Sequence, residues 1–365
     1  MDSSSQLFQN PRNPEITFEQ NFKFEKWFNE DGEIYNSSAP AIIKFDRTGK
    51  KVSEEWYTKK NTLHRVDGPA ITEYNDDKTR EVWCYDGTIH RTDDGPSIVN
   101  RLNGKVVSQY WNKDGKQHRI NGPAVIEYYE DGNKKLEEWY IEGRLHRLDG
   151  PAQVKYENWN GTDDDKKKFE GWYKNGGKYR YIRYENGYKQ YEFWGENDTL
   201  LHRVDGPACI YYNELGIKER EEWYQNGKCF RRGGPAVIKY HQNGKKMSEE
   251  WHNENGILHR EQPSRDSPHF NKDPAFISYD ENGVIKSQEW YYEGFCHRTN
   301  DEPAIIGYQN GFKIIELWKL NGKLHRLYKP ALVKYYENGI VKCQQHYIEG
   351  ILKYGTEYDT AYDSD

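Results

Sequence analysis

The sequence predicts an all-β fold, a repetitive antiparallel β-hairpin meander forming an elongated, twisted sheet or solenoid. Three observations predict it. Tryptophans recur at Trp27, Trp56, Trp83, Trp111, Trp139, Trp172, Trp194, Trp223, Trp251, Trp290 and Trp318, mostly 27 to 29 residues apart, and His346 takes the position once more. A fixed period of this size marks units that each need a neighbour for stability. Between the tryptophans, apolar and polar residues alternate with period two, as on a half-buried strand. Turn dipeptides fall at matching places in successive units, and no 3.6-residue periodicity competes with them.

The unit around Pro123 shows the elements in order. Ala124, Ile126 and Tyr128 alternate with Val125, Glu127 and Tyr129, which reads as a first strand. Asp131-Gly132 reads as a two-residue hairpin turn. Lys135 to Tyr140 reads as a second strand, with Glu137 and Trp139 on one face. Glu142-Gly143 turns the chain again, and Leu145 to Pro151 forms a longer loop into the next unit. Asn103-Gly104, Asn186-Gly187, Asn243-Gly244, Asn282-Gly283, Asn310-Gly311 and Asn338-Gly339 repeat the first turn. Asp86-Gly87, Asp114-Gly115, Asn226-Gly227, Asn255-Gly256 and Asn321-Gly322 repeat the second. The unit between Trp172 and Trp194 is only 22 residues long and lacks most of the loop, so the loop reads as an embellishment on a minimal hairpin.

The organisation follows. Residues 1–20 read as a polar arm, 21–353 as a single array of about twelve hairpin repeats, and 354–365 as an acidic tail. Insertions near 157–168 and 261–273 read as exposed loops between units. At two strands per unit the array is expected to span on the order of 100 Å.

Composition bounds the function. Only 35% of the 365 residues are hydrophobic and 31% are charged, while Tyr (30), Phe (13) and Trp (12) are abundant. Aromatic rings must then supply much of the buried area of a thin sheet. A net charge of −6 with interspersed signs argues against general nucleic-acid binding. Five scattered cysteines without a CxxC pair suit an intracellular, soluble chain. No run suits a signal peptide or a transmembrane segment.

The ladder of candidate residues is His64-Arg65, His90-Arg91, His118-Arg119, His146-Arg147, His202-Arg203, His259-Arg260, His297-Arg298 and His325-Arg326, beside Trp56, Trp83, Trp111, Trp139, Trp223, Trp251, Trp290 and Trp318. Metal binding is the sharp reading of the histidines. Equivalent residues two strands apart are separated by roughly 9–10 Å, whereas zinc ligands lie about 2 Å from the metal. Neighbouring repeats cannot share an ion, so no metal site is expected. Tyr179-Arg180 and Phe230-Arg231 keep a ring without the imidazole, so the ring is expected to pack beside tryptophan while Arg staples the loop through the Asp two residues later or through loop carbonyls. An outward-facing Arg row that binds an extended anion is the second reading.

In Asp-Gly-Pro-Ala, Asp is expected to close the turn, Gly to supply positive φ and Pro to fix φ before the strand. The acidic or amide residue two before each tryptophan (Glu54, Glu81, Gln109, Glu137, Glu170, Glu192, Glu221, Glu249, Gln288, Glu316) is expected to pair with the recurrent Arg. One carboxylate per repeat does not make the closely set pair that a glycosidase needs. No nucleophile elbow, P-loop, dinucleotide fingerprint or zinc-protease motif is present. No catalytic residue and no cofactor is therefore assigned.

The hairpins resemble the MORN repeat family on Glu138-Trp139-Tyr140-Ile141-Glu142-Gly143-Arg144-Leu145-His146 and its equivalents, over about residues 22 to 353. The 22-residue unit fits the family's length. The longer units, with Leu-His-Arg-x-Asp-Gly-Pro-Ala, look like a divergent MORN-like type met in giant DNA viruses, phages and some bacteria. The ordinary unit is five or six residues longer than the family's, and its glycine pattern differs. The resemblance implies a binding scaffold, and the Asn-, Lys- and Tyr-rich composition suits the A+T-rich genome of a large virus. The expectation is a non-enzymatic scaffold for protein–protein interaction through an exposed Tyr/Trp face, as a structural or accessory viral protein in virion or host cytoplasm. The alternatives are an antitoxin-like or membrane-peripheral MORN-like protein with lipid contact, and an enzyme acting on a polymer at one divergent unit.

Overall fold

The computed structural model describes residues 13–158, 166–196, 200–260 and 272–358. Expected insertion residues 159–165 and 261–271, arm residues 1–12 and tail residues 359–365 lie outside that set. Contacts divide the chain into two compact units, Met1–Lys178 and Tyr179–Asp365. The described residues contain no helix, so none is long and apolar enough to cross a membrane.

Twenty-six strands pair antiparallel in chain order as a meander. Val125–Tyr128 pairs with Lys134–Glu138 in the register Val125↔Glu138, and Lys134–Glu138 pairs onward with Gln153–Tyr156. The first unit's meander starts at Glu15–Glu19, within the stretch expected to be an arm, and pairs with Phe22–Lys26. The second unit's ends at Ile351–Glu357, reaching into the expected tail.

After most tryptophans of full-length repeats comes a second, shorter hairpin, such as Tyr140–Ile141 with Arg144–Leu145, reduced after Trp27, Trp56 and Trp251 to a single bridge. The connections therefore alternate. One end of the strands carries only turns, and the other carries the short hairpin and the His-Arg loop. Where the loop is missing, Lys167–Lys174 turns at Asn175-Gly176 straight into Gly177–Glu185. The loop is thus an insertion into a longer, simpler hairpin.

The turns take two geometries that the dipeptides hid and that do not follow position in the unit, since Asn255-Gly256 has positive φ only at glycine. At Asp86-Gly87, Asp114-Gly115, Glu142-Gly143 and Asn321-Gly322 both residues have positive φ, the mirror-image turn of a two-residue hairpin. Asn103-Gly104, Asn186-Gly187 and Asn310-Gly311 do the same. At Asp131-Gly132, Asn243-Gly244, Asn282-Gly283 and Asn338-Gly339 only the glycine has positive φ. There the connection is longer. Tyr129 N–H donates to Asn133 O (2.9 Å) and Gly132 N–H to Tyr129 O (3.0 Å). The expected two-residue turn at Asp131 is corrected accordingly.

One position binds the two strands of each repeat to one another and to the strand before them. Ala124 accepts from Trp111 N–H (2.8 Å) and donates to Glu138 O (2.7 Å), and Ala70, Ala208, Ala236 and Ala331 repeat this exchange. All five alanines are fully buried, so only a methyl fits between the paired strands. Ser97 takes the same place with its hydroxyl donating to Tyr110 O and accepting from Asn112 N–H. Around this seam Trp111, Ala124 and Ile126 cluster with Tyr128 and Tyr140. Ala124→Leu is expected to destabilise the chain by about 1–3 kcal/mol through overpacking. Ala124→Ser should be tolerated far better, and urea denaturation followed by tryptophan fluorescence compares the two.

Candidate functional site

The ladder residues converge in each loop on one arrangement. The Arg guanidinium sits over the tryptophan that opens its unit: Arg65 over Trp56 (3.9 Å to the ring centre), Arg91 over Trp83 (4.3 Å), Arg119 over Trp111 (3.9 Å) and Arg147 over Trp139 (4.2 Å). Arg203 over Trp194, Arg231 over Trp223, Arg260 over Trp251, Arg298 over Trp290 and Arg326 over Trp318 continue it in the second unit. The Nη1 donates to the carbonyl of the loop proline, as Arg119 does to Pro123 O and Arg203 to Pro207 O (3.1 and 3.2 Å). Nε reaches the aspartate two residues on in Arg147–Asp149 (2.9 Å) and Arg203–Asp205 (2.8 Å).

This stack explains the glycine, and not as a positive-φ residue. Gly68, Gly150 and Gly206 are absent from the left-handed region. A Cβ built on them would lie 2.8, 3.0 and 2.8 Å from the guanidinium carbon of Arg65, Arg147 and Arg203. Glycine is needed so that the backbone can lie against the arginine. The arginine sits between an indole and a bare Cα.

The histidine does more than supply a ring. Backbone N–H groups of Asp86, Asp114, Glu142 and Asn175 donate to Nδ1 of His64, His90, His118 and His146 at 3.2 to 3.3 Å. Asn226, Glu293 and Glu349 do the same to His202, His259 and His325 (3.2 Å). Each donor belongs to the positive-φ turn of the following repeat. In each of these bonds the imidazole Nδ1 is the acceptor, so the ring closes on the next repeat through a directional contact and not by packing alone. Burial pushes the His297 pKa down. Phe230 and Tyr179 keep the ring without an Nδ1 acceptor, so an aromatic ring alone does not account for the other positions.

The carboxylate row pairs elsewhere than expected. Tyrosine hydroxyls of the next strand donate to it: Tyr156 to Glu137 (2.6 Å), Tyr212 to Glu192 (2.7 Å) and Tyr279 to Glu249 (2.7 Å). Gln109 and Gln288 accept from Tyr128 and Tyr308 in the same way. Lysines three residues earlier provide the ionic partner, as in Lys134–Glu137 and Lys313–Glu316. Arg180–Glu192 (3.1 Å), in the short repeat, matches the expected arginine partner. Elsewhere the loop arginines are occupied on tryptophan. Burial pushes Glu192 upward, but hydrogen bonds from Lys189, Tyr212 and Arg180 outweigh it and keep the carboxyl below its ordinary value. A carboxylate so engaged is structural.

Burial raises the Cys209 and Cys229 thiols to about 12 and Cys296 to about 11, so they are protonated at neutral pH. Among the described residues no group of three His, Cys, Asp or Glu could hold a metal ion.

Of the expected exposed Tyr/Trp face, tyrosines such as Tyr85 and Tyr188 are exposed, but among the described residues no tryptophan is. Trp111, Trp290 and Trp318 are buried, and Trp56, Trp83, Trp139, Trp223 and Trp251 are half-buried. What is exposed instead is the residue after His-Arg at the loop tip: Val66 (68%), Ile120 (79%), Leu148 (78%), Val204 (83%) and Leu327 (64%). Sequence reasoning passed over this position as a spacer. Aligning the repeats with one another exposes it, because the histidine, arginine, glycine and alanine around it are each held by a contact and it is not.

Two outcomes test the loop. Arg147→Ala should destabilise by roughly 2 kcal/mol, and Arg147→Lys by about half of that since it keeps the charge but loses the planar fork; differential melting checks both. Acid dependence is readable at Asp301, whose carboxyl is held down to about 2 by hydrogen bonds from Arg326 and Lys329. A depressed carboxyl stabilises above its unfolded value of 3.8 and loses that contribution as pH falls through about 2. The stability difference between wild type and Asp301→Asn should therefore shrink across that window.

No family model matches the sequence, and no curated protein does. Among solved structures, the chain is similar at 9% identity and a TM-score of 0.11 to "Crystal Structure of TcdB2-TccC3", and at 10% and 0.12 to "Crystal Structure of TcdB2-TccC3-Cdc42". Each match covers 89% of this chain and only 23% of the other, so this chain spans under a quarter of the structures' length. Scores this low carry no argument about function.

Proposed function

We propose that this chain is a non-enzymatic repeat scaffold that binds another protein through its row of loop tips. The observation that supports it is the recurrence of an exposed aliphatic side chain at one place in the loop. Val66, Ile120 and Leu148 stand 68 to 79% exposed in the first unit, each above a loop whose other residues are fixed. Apolar surface that recurs in register and stands mostly exposed suits a protein contact. This surface replaces the tryptophan face as the site of binding. The MORN-like resemblance and the setting of a structural or accessory protein of a large DNA virus, in virion or host cytoplasm, go with this reading.

The membrane-peripheral alternative is disfavoured by charge. Beside the tips stand Asp93, Asp149 and Asp205, whose side chains are 64, 83 and 83% exposed, while their arginines are only 24 to 26% exposed. Each is ion-paired with its own arginine, so these arginines are not free cations for an anionic leaflet. The same occupancy of the arginines on tryptophan weakens the reading of an anion-binding Arg row.

The intact chain, used as bait in native lysate, tests the proposal beside an Ile120→Asp/Leu148→Asp variant. Stoichiometric partners should be retained by wild type in high salt and lost by the variant, with melting unchanged because both sites are exposed. Equal recovery by the two chains would overturn it.

A further inference from the structure

We infer that the strand Ile351–Glu357, at the C-terminal edge of the second unit's sheet, is a self-association site that pairs antiparallel with the same strand of a second copy of this chain. The inference goes beyond the loop-tip reading and does not rest on it.

Among the described residues this strand pairs only with Val341–Ile348. The register shows which of its backbone groups are left over. Tyr358 N–H donates to Lys342 O (2.8 Å), whereas the Gln345 carbonyl, opposite Gly355, is turned the other way and accepts from Ala331 N–H (2.9 Å). Bonded and non-bonded pairs alternate along an antiparallel ladder. Tyr354 and Thr356 therefore bond inward, while Gly355 and Glu357 present N–H and C=O to the open side. A row of unpaired strand groups is a template for another strand. All seven residues of the strand are exposed, among them Ile351 (62%), Leu352 (51%) and Tyr354 (61%). Val333, on a strand paired on both sides, is 4% exposed.

Self-complementarity identifies the occupant. A two-fold axis normal to the sheet at Gly355 brings the N–H of one Gly355 to the C=O of the other, and the reverse. The same axis sets Tyr354 directly opposite Thr356 of the second copy, and does so twice. An aromatic ring beside a β-branched residue is a favourable cross-strand pair. Gly355 places no side chain on the axis, and a Cβ there would lie 3.0 Å from Gln345 Cγ. Glu357 falls beside Lys353 of the second copy, the extra residue where the register shifts, and not against another carboxylate.

The strand at the opposite end of the meander is built against the same pairing. Glu15–Glu19 also carries exposed apolar side chains, Ile16 (51%) and Phe18 (77%). Antiparallel self-pairing about Thr17 would oppose Glu15 and Glu19 twice, and like charges directly opposite destabilise a sheet. The C-terminal edge is thus the one that can close on itself, and an isologous contact of this kind ends at a dimer.

Sedimentation velocity of the intact chain over a wide concentration range tests this. A monomer–dimer equilibrium with no larger species is expected. Glu357→Pro removes an outward donor and no inward bond, so it should weaken the dimer roughly tenfold or more with an unchanged melting profile. Tyr354→Cys/Thr356→Cys should link two chains by disulfides on treatment with oxidised glutathione, because the register sets these positions opposite one another. Phe18→Lys and the Ile120→Asp/Leu148→Asp variant should dimerise as wild type does. A monomer at every concentration, a dimer indifferent to Glu357→Pro, failure of the cysteine pair to cross-link, growth into larger oligomers, or loss of the dimer in either of the last two variants would each overturn the inference. Loop-tip variants that still lose a lysate partner leave the scaffold reading standing whichever way the dimer is decided.

Discussion

The stacking of arginine on tryptophan in each loop that carries the Arg is the constraint from which the rest of the repeat follows. A guanidinium over an indole still has N–H donors to spare, and the loop is shaped to receive them. The proline carbonyl takes Nη1, as at Arg119 and Pro123, and an aspartate takes Nε, as at Arg203 and Asp205. The other face of the guanidinium needs a residue without a side chain, which is why Gly150 and Gly206 precede the prolines. Where glycine is replaced, the chemistry shifts with it. Glu302 stands before Pro303 and forms an ion pair with Arg298.

Coupling between repeats is carried by groups that look local in sequence. A positive-φ turn leaves its first N–H pointing away from its own hairpin, and that donor must find an acceptor. The preceding repeat supplies one in histidine Nδ1, and a second in the carbonyl before the histidine: Gly143 N–H reaches Gln117 O at 2.8 Å. The loop therefore grips the next short hairpin while the strands pair below it. Stability of this kind is nearest-neighbour in form, a property of stacked repeats rather than of a single large core. It also accounts for a chain with so few aliphatic residues, since the buried carboxylate–tyrosine–lysine row replaces apolar volume between strands.

Much of the fold is legible in Trp spacing and alternation, because both are direct consequences of strand geometry. The strands, the two turns per unit and the dispensable loop all follow from them. The features that are not legible depend on contacts across the period. Asp131-Gly132 has the same letters as a two-residue turn, yet the bulge at Tyr128 lengthens it. Glycine before proline suggests a backbone role, while the actual cause at Gly150 is the guanidinium of Arg147 lying against it. Spacing alone pairs Glu137 with the wrong cation, because Tyr156 and Lys134 become its partners only once strand register places them.

A repeat protein carries its own comparison set, since every unit solves the same packing problem. Positions fixed by packing then identify themselves by what they touch. Histidine reaches the next turn, arginine covers tryptophan, glycine lies beneath arginine and alanine fills the seam. Subtracting these leaves the loop tip, where Val66, Ile120, Leu148, Val204 and Leu327 are aliphatic without any packing reason. A solvated tip would be expected to drift to polar residues, as it does at Thr92 and Arg232, because nothing inside the loop rewards an apolar side chain there. An aliphatic side chain at so many tips points to something outside the chain that does.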